Sequence, residues 1–241
     1  MKVTLRIGTA GWSIASRYRD EFPDGGSHLE RYARRLDAVE INSSFYKPHQ
    51  RKTYQRWAES TPADFRFSVK LPKAITHEAR LIGCEALLDR FLAEIAGLGE
   101  RLGVLLMQLP PNFSHDAEAL DTFMAELRAQ SDVPVVLEPR HASWFESDVV
   151  DAQLRNLRIA RVAADPAKVP GAGEPGGWRG LSYYRWHGAP RVYYSDYHTA
   201  ALQALGQQLD NQRRLGIPTW CIFDNTASGA ALGNALAMAG R

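Results

Sequence analysis

Acids, bases and amides recur in this sequence at the ends of short apolar stretches, often two residues apart. Glu40 and Asn42 close VEIN, Lys70 closes RFSVK, Gln108 closes LLMQ, Glu138 and Arg140 close VVLEPR, and Arg185 and His187 close YYRWH. A spacing of two places side chains on one face of a strand. A carboxylate and an imidazole facing one pocket can be given separated pKa values, which is what general acid and base steps need. Glu40, Glu138 and His187 are therefore the candidate proton carriers. Lys70, Arg140 and Arg185 are interleaved with them, and His77 can join as a further cation, a pattern that suits a bound phosphate or carboxylate. Asn42, Gln108 and Asn225 add amide groups, and Tyr46 and Trp144 add aromatic surface, to the substrate-binding set. Lys70, at a strand end, could also form a Schiff base in principle.

Eight apolar stretches must hold these groups: residues 3–9, 37–42, 64–70, 103–109, 134–139, 158–164, 181–187 and 218–224. Between them, apolar residues fall at helical spacing over 84–98, 117–129 and 197–215. Ser27 and Glu30 spell a capping box for a first helix, and Ser114 is placed to cap the helix after the fourth strand. Repeated strand–helix alternation argues for parallel strands joined by crossovers. A count of eight favours a single-domain α/β fold over residues 1–241, a (β/α)8 TIM barrel, with function at the C-terminal strand ends. The alternative, a doubly wound open sheet, would carry a G-x-G-x-x-G turn after its first strand, and GTAGWS does not fit. The segment 165–180 holds Pro166, Pro170 and Pro175 among several glycines, so the sixth crossover is expected to be a loop, with a mobile lid as one reading.

In the expected inner row, Arg66, Ser68 and Lys70 share strand three, and Tyr183, Arg185 and His187 share strand seven. Strand eight ends in Asp224, Asn225 and Thr226. With Ser228, the last two precede a helix of small residues whose free N–H groups could hold a phosphate. His141, one residue past Arg140, reads as a rim group.

Of 241 residues, 45% are hydrophobic and the net charge is +2, so a polyanionic partner is allowed but not demanded. Cys84 and Cys221 form no metal or redox motif. With no signal-like or membrane-spanning run, the expected setting is cytoplasmic, with no membrane partner. The favoured function is an enzyme, a hydrolase, lyase or isomerase, that acts on a small phosphate- or carboxylate-bearing ligand by acid/base chemistry without a cofactor. Two other readings stay open. A divalent metal held by Glu40, Glu138, His187 and Asp224 would make a phosphoesterase or nuclease. Arg51, Lys52 and Arg56 beside Tyr54 and Trp57 would suit a non-catalytic module for nucleic acid or a nucleotide.

IGTAGW, VEINSSFY, FRFSVKLPKAITH, LLMQLPPNF, LEPRHASWF, YYRWHG and FDNTASGAALGNA, in that order across nearly the whole chain, resemble the YecE-like family, domain of unknown function 72. The resemblance implies a TIM barrel but brings no established reaction. The family's motifs fall on Glu40, Asn42, Phe45, Tyr46, Lys70, His77, Gln108, Glu138, Arg140, Trp144, Arg185, His187, Gly188 and Asn225, which implies that the strand-end set shares one pocket.

Overall fold

Strands with two apolar faces need cover on both sides, and this chain supplies it with alternating helices. The structure, a computed structural model, describes residues 3–240. Parallel strands β1 (Leu5–Thr9), β2 (Ala38–Ile41), β3 (Arg66–Lys70), β4 (Leu102–Gln108) and β5 (Val135–Glu138) are followed by β6 (Ile159–Arg161) and β7 (Ala163–Asp165). A two-residue strand β8 (Gly176–Gly177), then β9 (Ser182–Trp186) and β10 (Thr219–Phe223), complete the set. Helices α1 (His28–Ala33), α2 (Arg51–Glu59), α3 (Glu85–Ile95), α4 (Ala117–Arg128), α5 (Asp148–Asn156), α6 (Thr199–Arg214) and α7 (Ala230–Ala239) lie between and after them. The capping box forms as read, with Ser27 accepting from the Glu30 amide. Helix α4 is capped by Asp116 and not Ser114; the Asp116 carboxylate accepts from the Ala119 amide.

The strands pair as two sheets, in the order β1–β10–β9–β7 and β2–β3–β4–β5–β6–β8. All pairings are parallel except β6 with β8. The predicted sixth strand is split. Its first half pairs with β5 and its second with β9, and between them the Val162 amide donates to Leu137 O at 2.9 Å. No helix follows β7; residues 166–181 form a loop whose β8 folds back on β6.

The other junction, between β1 and β2, is made mostly by side chains. Asp37 Oδ1 accepts from the Ile7 amide at 3.0 Å. The buried Tyr32 hydroxyl accepts from the Thr9 amide at 2.9 Å and donates to Ala38 O at 3.0 Å. Only Ala10 and Glu40 make a backbone bridge, with the Gly11 amide on Glu40 O at 2.8 Å. Gly8 is needed here because a Cβ would fall inside the contact radius of Ala38 O.

Alternation divides the apolar side chains into two clusters. Val39, Ile41, Phe67, Val69, Leu105, Met107, Leu137 and Tyr184 pack outward beneath the helices. Ala38, Val104, Leu106, Val136, Ala160, Leu181, Tyr183, Trp220 and Ile222 form a separate inner cluster. The polar residues of the inner rows lie at its C-terminal side.

Candidate functional site

A fully buried guanidinium organises that end. Arg185 Nε donates to Glu40 Oε2 at 2.9 Å and Nη2 to Glu40 Oε1 at 2.7 Å, a bidentate pair. Its Nη1 donates to Glu138 Oε2 at 3.0 Å, and Nη2 lies 3.0 Å from Asp224 Oδ2. Burial works against the charge, but Asp224, Glu40 and Glu138 outweigh it and hold the guanidinium protonated. Below this layer the Tyr183 hydroxyl donates to Glu40 Oε2 at 3.0 Å and lies 3.0 Å from Ser68 Oγ.

His187 sits between two carboxylates. Nδ1 lies 2.9 Å from Asp224 Oδ2 and Nε2 lies 3.0 Å from Glu138 Oε1. Burial would lower its pKa, but Glu138 and Asp224 together raise it above the ordinary imidazole value. Glu138 Oε1 also accepts from Gln108 Nε2 at 3.0 Å and Arg140 Nη2 at 3.0 Å. Burial would push Glu138 up, yet His187, Arg185 and Arg140 hold it well below the usual carboxylate range. Asp224 is lowered in the same way, burial being outweighed by Arg185 and His187.

Strand alternation places Glu40 and Arg185 among the groups that meet a ligand; the structure engages both internally. Glu40 is fully buried and both its oxygens are taken by Arg185 and Tyr183, so it serves as a counter-ion. Arg185, 1% exposed, has its donors spent on three carboxylates. Trp144 is also corrected: it is fully buried in the outer cluster, where its indole N–H donates to Phe113 O at 2.9 Å. Asn225 is buried, and its Nδ2 holds Ser195 O and Asn234 Oδ1. Ser228 donates to Tyr194 O, so two of the three residues expected to flank an anion at α7 spend their donors within the chain. A cavity of about 440 Å³ lies beside Thr226 and Gly229, but no charged side chain lines it.

Lys70, Gln108, Glu138, Arg140 and His187 do come together, and His77 and Phe45 border them. Lys70 is 5% exposed, and its Nζ sits 4.0 Å from the centre of the Phe45 ring. Among the described residues Nζ has neither a hydrogen-bond acceptor nor a carboxylate within ion-pair distance. Burial, then Arg185, lowers its pKa to about 8 against the opposing pull of Glu40, Glu138 and Asp224. His77 packs edge-on against Phe45, and burial, with Lys70 and Arg140 nearby, lowers it to about 4. A five-residue π-turn, Ala74–Glu78, carries His77 and has no counterpart in the sequence reading. Asn42 is half-buried and its Oδ1 has no partner; the same is true of Asn225 Oδ1. Tyr46 projects outward, 77% exposed. His141 is committed to its own turn, accepting from the Ser143 amide.

Asp224 as the partner of His187, and Tyr193 beside it, were not singled out by spacing. The Tyr193 and His187 rings are 5.9 Å apart, and Tyr193 also faces Arg140. Tyr193 lies on an irregular segment without strand periodicity. Asp224 is legible as a strand end, but not as this contact. No group of three or more His, Cys, Asp or Glu among the described residues is disposed to hold a metal ion. Cys84 and Cys221 are both buried and unpaired. No helix among the described residues is long and apolar enough to cross a membrane.

Residues 6–241 match the protein family described as "Protein of unknown function DUF72". UPF0759 protein YecE of Escherichia coli K12 is 33% identical over 173 residues, covering 70% of this chain and 61% of YecE. UPF0759 protein YunF of Bacillus subtilis 168 is 26% identical over 160 residues, 64% of this chain and 57% of YunF. The chain thus matches less than two thirds of the length of these relatives. Among solved structures, a DUF72 family protein of Thermotoga maritima MSB8 superposes with a TM-score of 0.77 at 25% identity, covering 98% of this chain and 97% of that one. Another, from Enterococcus faecalis V583, gives 0.79 at 23% identity over 98% and 94% of the two chains. The strand-end motifs, the mixed α/β architecture and the family match agree: this chain belongs to the DUF72 family.

Proposed function

We propose that the two sheets are halves of one (β/α)8 barrel domain, and that the chain is an enzyme acting on a small phosphate- or carboxylate-bearing substrate by acid/base chemistry. The barrel reading is supported by the split sixth strand, whose two halves pair with β5 and with β9, and by the Ala10–Glu40 bridge, which link the sheets at both junctions. The functional reading rests on the charge balance at the strand ends. Arg185, Arg140, Lys70 and His187 stand against Glu40, Glu138 and Asp224, so the basic groups outnumber the carboxylates by one.

Arg140, with 22% of its side chain exposed, is the cation placed to hold the anionic group, and His187 is the proton carrier. The crevice beside Glu138, Arg140 and His187 measures about 20 Å³ and is closed by Pro166, Lys168 and Val192. That is room for about one water, so a substrate enters when the 166–181 loop or the segment around Val192 swings away.

Calorimetric titration with inorganic phosphate and with pyruvate tests this reading. At least one anion binds the wild type, and Arg140→Ala weakens it roughly ten- to a hundredfold, the worth of a lost charge-assisted hydrogen bond. Absence of binding by both anions, or affinity unchanged in Arg140→Ala, overturns it.

A further inference from the structure

At the strand ends, nearly every ionisable group is neutralised by a neighbour. Glu40, Glu138, Asp224, Arg185, Arg140 and His187 form one continuous set of hydrogen bonds and ion pairs. Lys70 closes the neighbouring strand β3 and is buried to the same degree, yet among the described residues its Nζ has no such partner. Its Nζ sits over the face of Phe45. A largely buried ammonium without a counter-ion costs stability even where its tip touches solvent, and a partner for it would be cheap to supply in sequence. A neutral amine at this position is a nucleophile.

We infer that Lys70 is a covalent catalytic residue, forming a Schiff base with a small ketone or aldehyde that carries a phosphate or carboxylate. This rests on the anion-binding reading above, in which Arg140 holds the charged group; Lys70 then meets the carbonyl. Lys70 faces Arg185, Glu40, Glu138 and Asp224 from β9, β2, β5 and the end of β10, and His77 from the π-turn. Burial and the guanidinium favour the amine over the ammonium, so a useful fraction is unprotonated near pH 8.

The unprotonated Nζ adds its lone pair to the carbonyl carbon, and the C=O π pair moves to oxygen. That oxygen takes one proton from the attacking nitrogen and a second from the His187 imidazolium, and leaves as water. The product is an iminium with one hydrogen on nitrogen, and His187 is left neutral. No oxidation state changes. The iminium is an electron sink for whichever bond at the adjacent carbon the substrate offers.

Reductive trapping tests this. Wild-type protein is incubated with pyruvate or dihydroxyacetone phosphate and sodium cyanoborohydride between pH 6 and 9, then measured by intact mass and peptide mapping. The expected result is one reduced adduct per chain, on Lys70, with a rate rising through about pH 8. It is absent in Lys70→Met and Lys70→Arg, and slowed about tenfold in Arg140→Ala. Lys70→Met removes a buried charge without removing a hydrogen bond, so loss of the adduct there is not a folding failure. Adducts spread over surface lysines, or none with either probe, overturn the inference. If calorimetry shows that a probe binds without forming an adduct, the anion-binding reading survives and the Schiff base falls. An adduct on Lys70 that ignores Arg140→Ala supports the covalent step and sinks the anion-binding reading.

Discussion

Nδ1 of the His187 ring lies 2.9 Å from Asp224 Oδ2, and that contact, with Glu138 on the opposite nitrogen, ties the stability of the fold to pH. His187 binds its proton more tightly folded than unfolded. Its contribution is complete below the unfolded value of about 6.5 and is lost as pH rises through the higher folded value. Glu138 and Asp224 lie below their ordinary values, so their contribution is complete above about pH 5 and lost as pH falls through the folded values. Urea midpoints should therefore form a plateau near pH 5 to 6.5, with decline on both sides. His187→Gln flattens the decline above pH 6.5. A wild-type midpoint that does not change between pH 6.5 and 8 would count against the imidazolium.

Arg185→Met strips three carboxylates of their shared counter-charge. Breaking a buried pair from one side costs about 3–5 kcal/mol, and here the loss should reach the upper part of that range. Arg185→Lys recovers little, because one ammonium cannot reproduce the fork to Glu40. Denaturation at pH 7 measures both. A loss under about 1 kcal/mol for Arg185→Met would show that the layer is hydrated and weakly coupled.

Lys70→Met should stabilise the protein. A lysine lowered from 10.5 to about 8 penalises the folded state at pH 7, and the penalty eases as pH rises from about 8 toward 10.5. Removing it gains roughly 1–3 kcal/mol once the lost contact with Phe45 is allowed for. A stability loss in this variant, read from the same urea curves, would mean that the ammonium has a compensating partner in solution.

The β1–β2 junction predicts a local effect. Tyr32→Phe leaves the Thr9 amide and Ala38 carbonyl without their shared hydroxyl, at a cost of about 1–3 kcal/mol. Hydrogen exchange at the Thr9 amide should quicken more than at the Gly8 amide, which belongs to the β1–β10 ladder. Equal acceleration along β1 would point to general loosening.

The inner rows of β3, β5 and β9 were legible because period-two alternation is local: Ser68 with Lys70, Glu138 with Arg140, Tyr183 with Arg185. Which charge answers which was not. Arg185 meets Glu40 across 145 residues of chain, and nothing near either residue encodes that distance. Spacing therefore reads Arg185 as available, when three carboxylates consume it. Trp144 shows the same limit on a smaller scale. It follows Arg140 closely in sequence, but the turn Ala142–Trp144 rotates its indole outward onto Phe113. The cap of α4 was misplaced by two residues because Ser114 and Asp116 carry equivalent capping chemistry, and only backbone angles choose between them.

The β1–β2 junction also bears on synthesis. The first strand finds its ladder partner in β10, Leu5 opposite Thr219 and Thr9 opposite Phe223, a strand made after every other one described. Until then β1 has its neighbour on the other side, with one backbone bridge, the Tyr32 phenol and the Asp37 carboxylate to hold it. Tyr32 and Asp37 are thus the contacts through which β1 can be held at β2 before β10 is made.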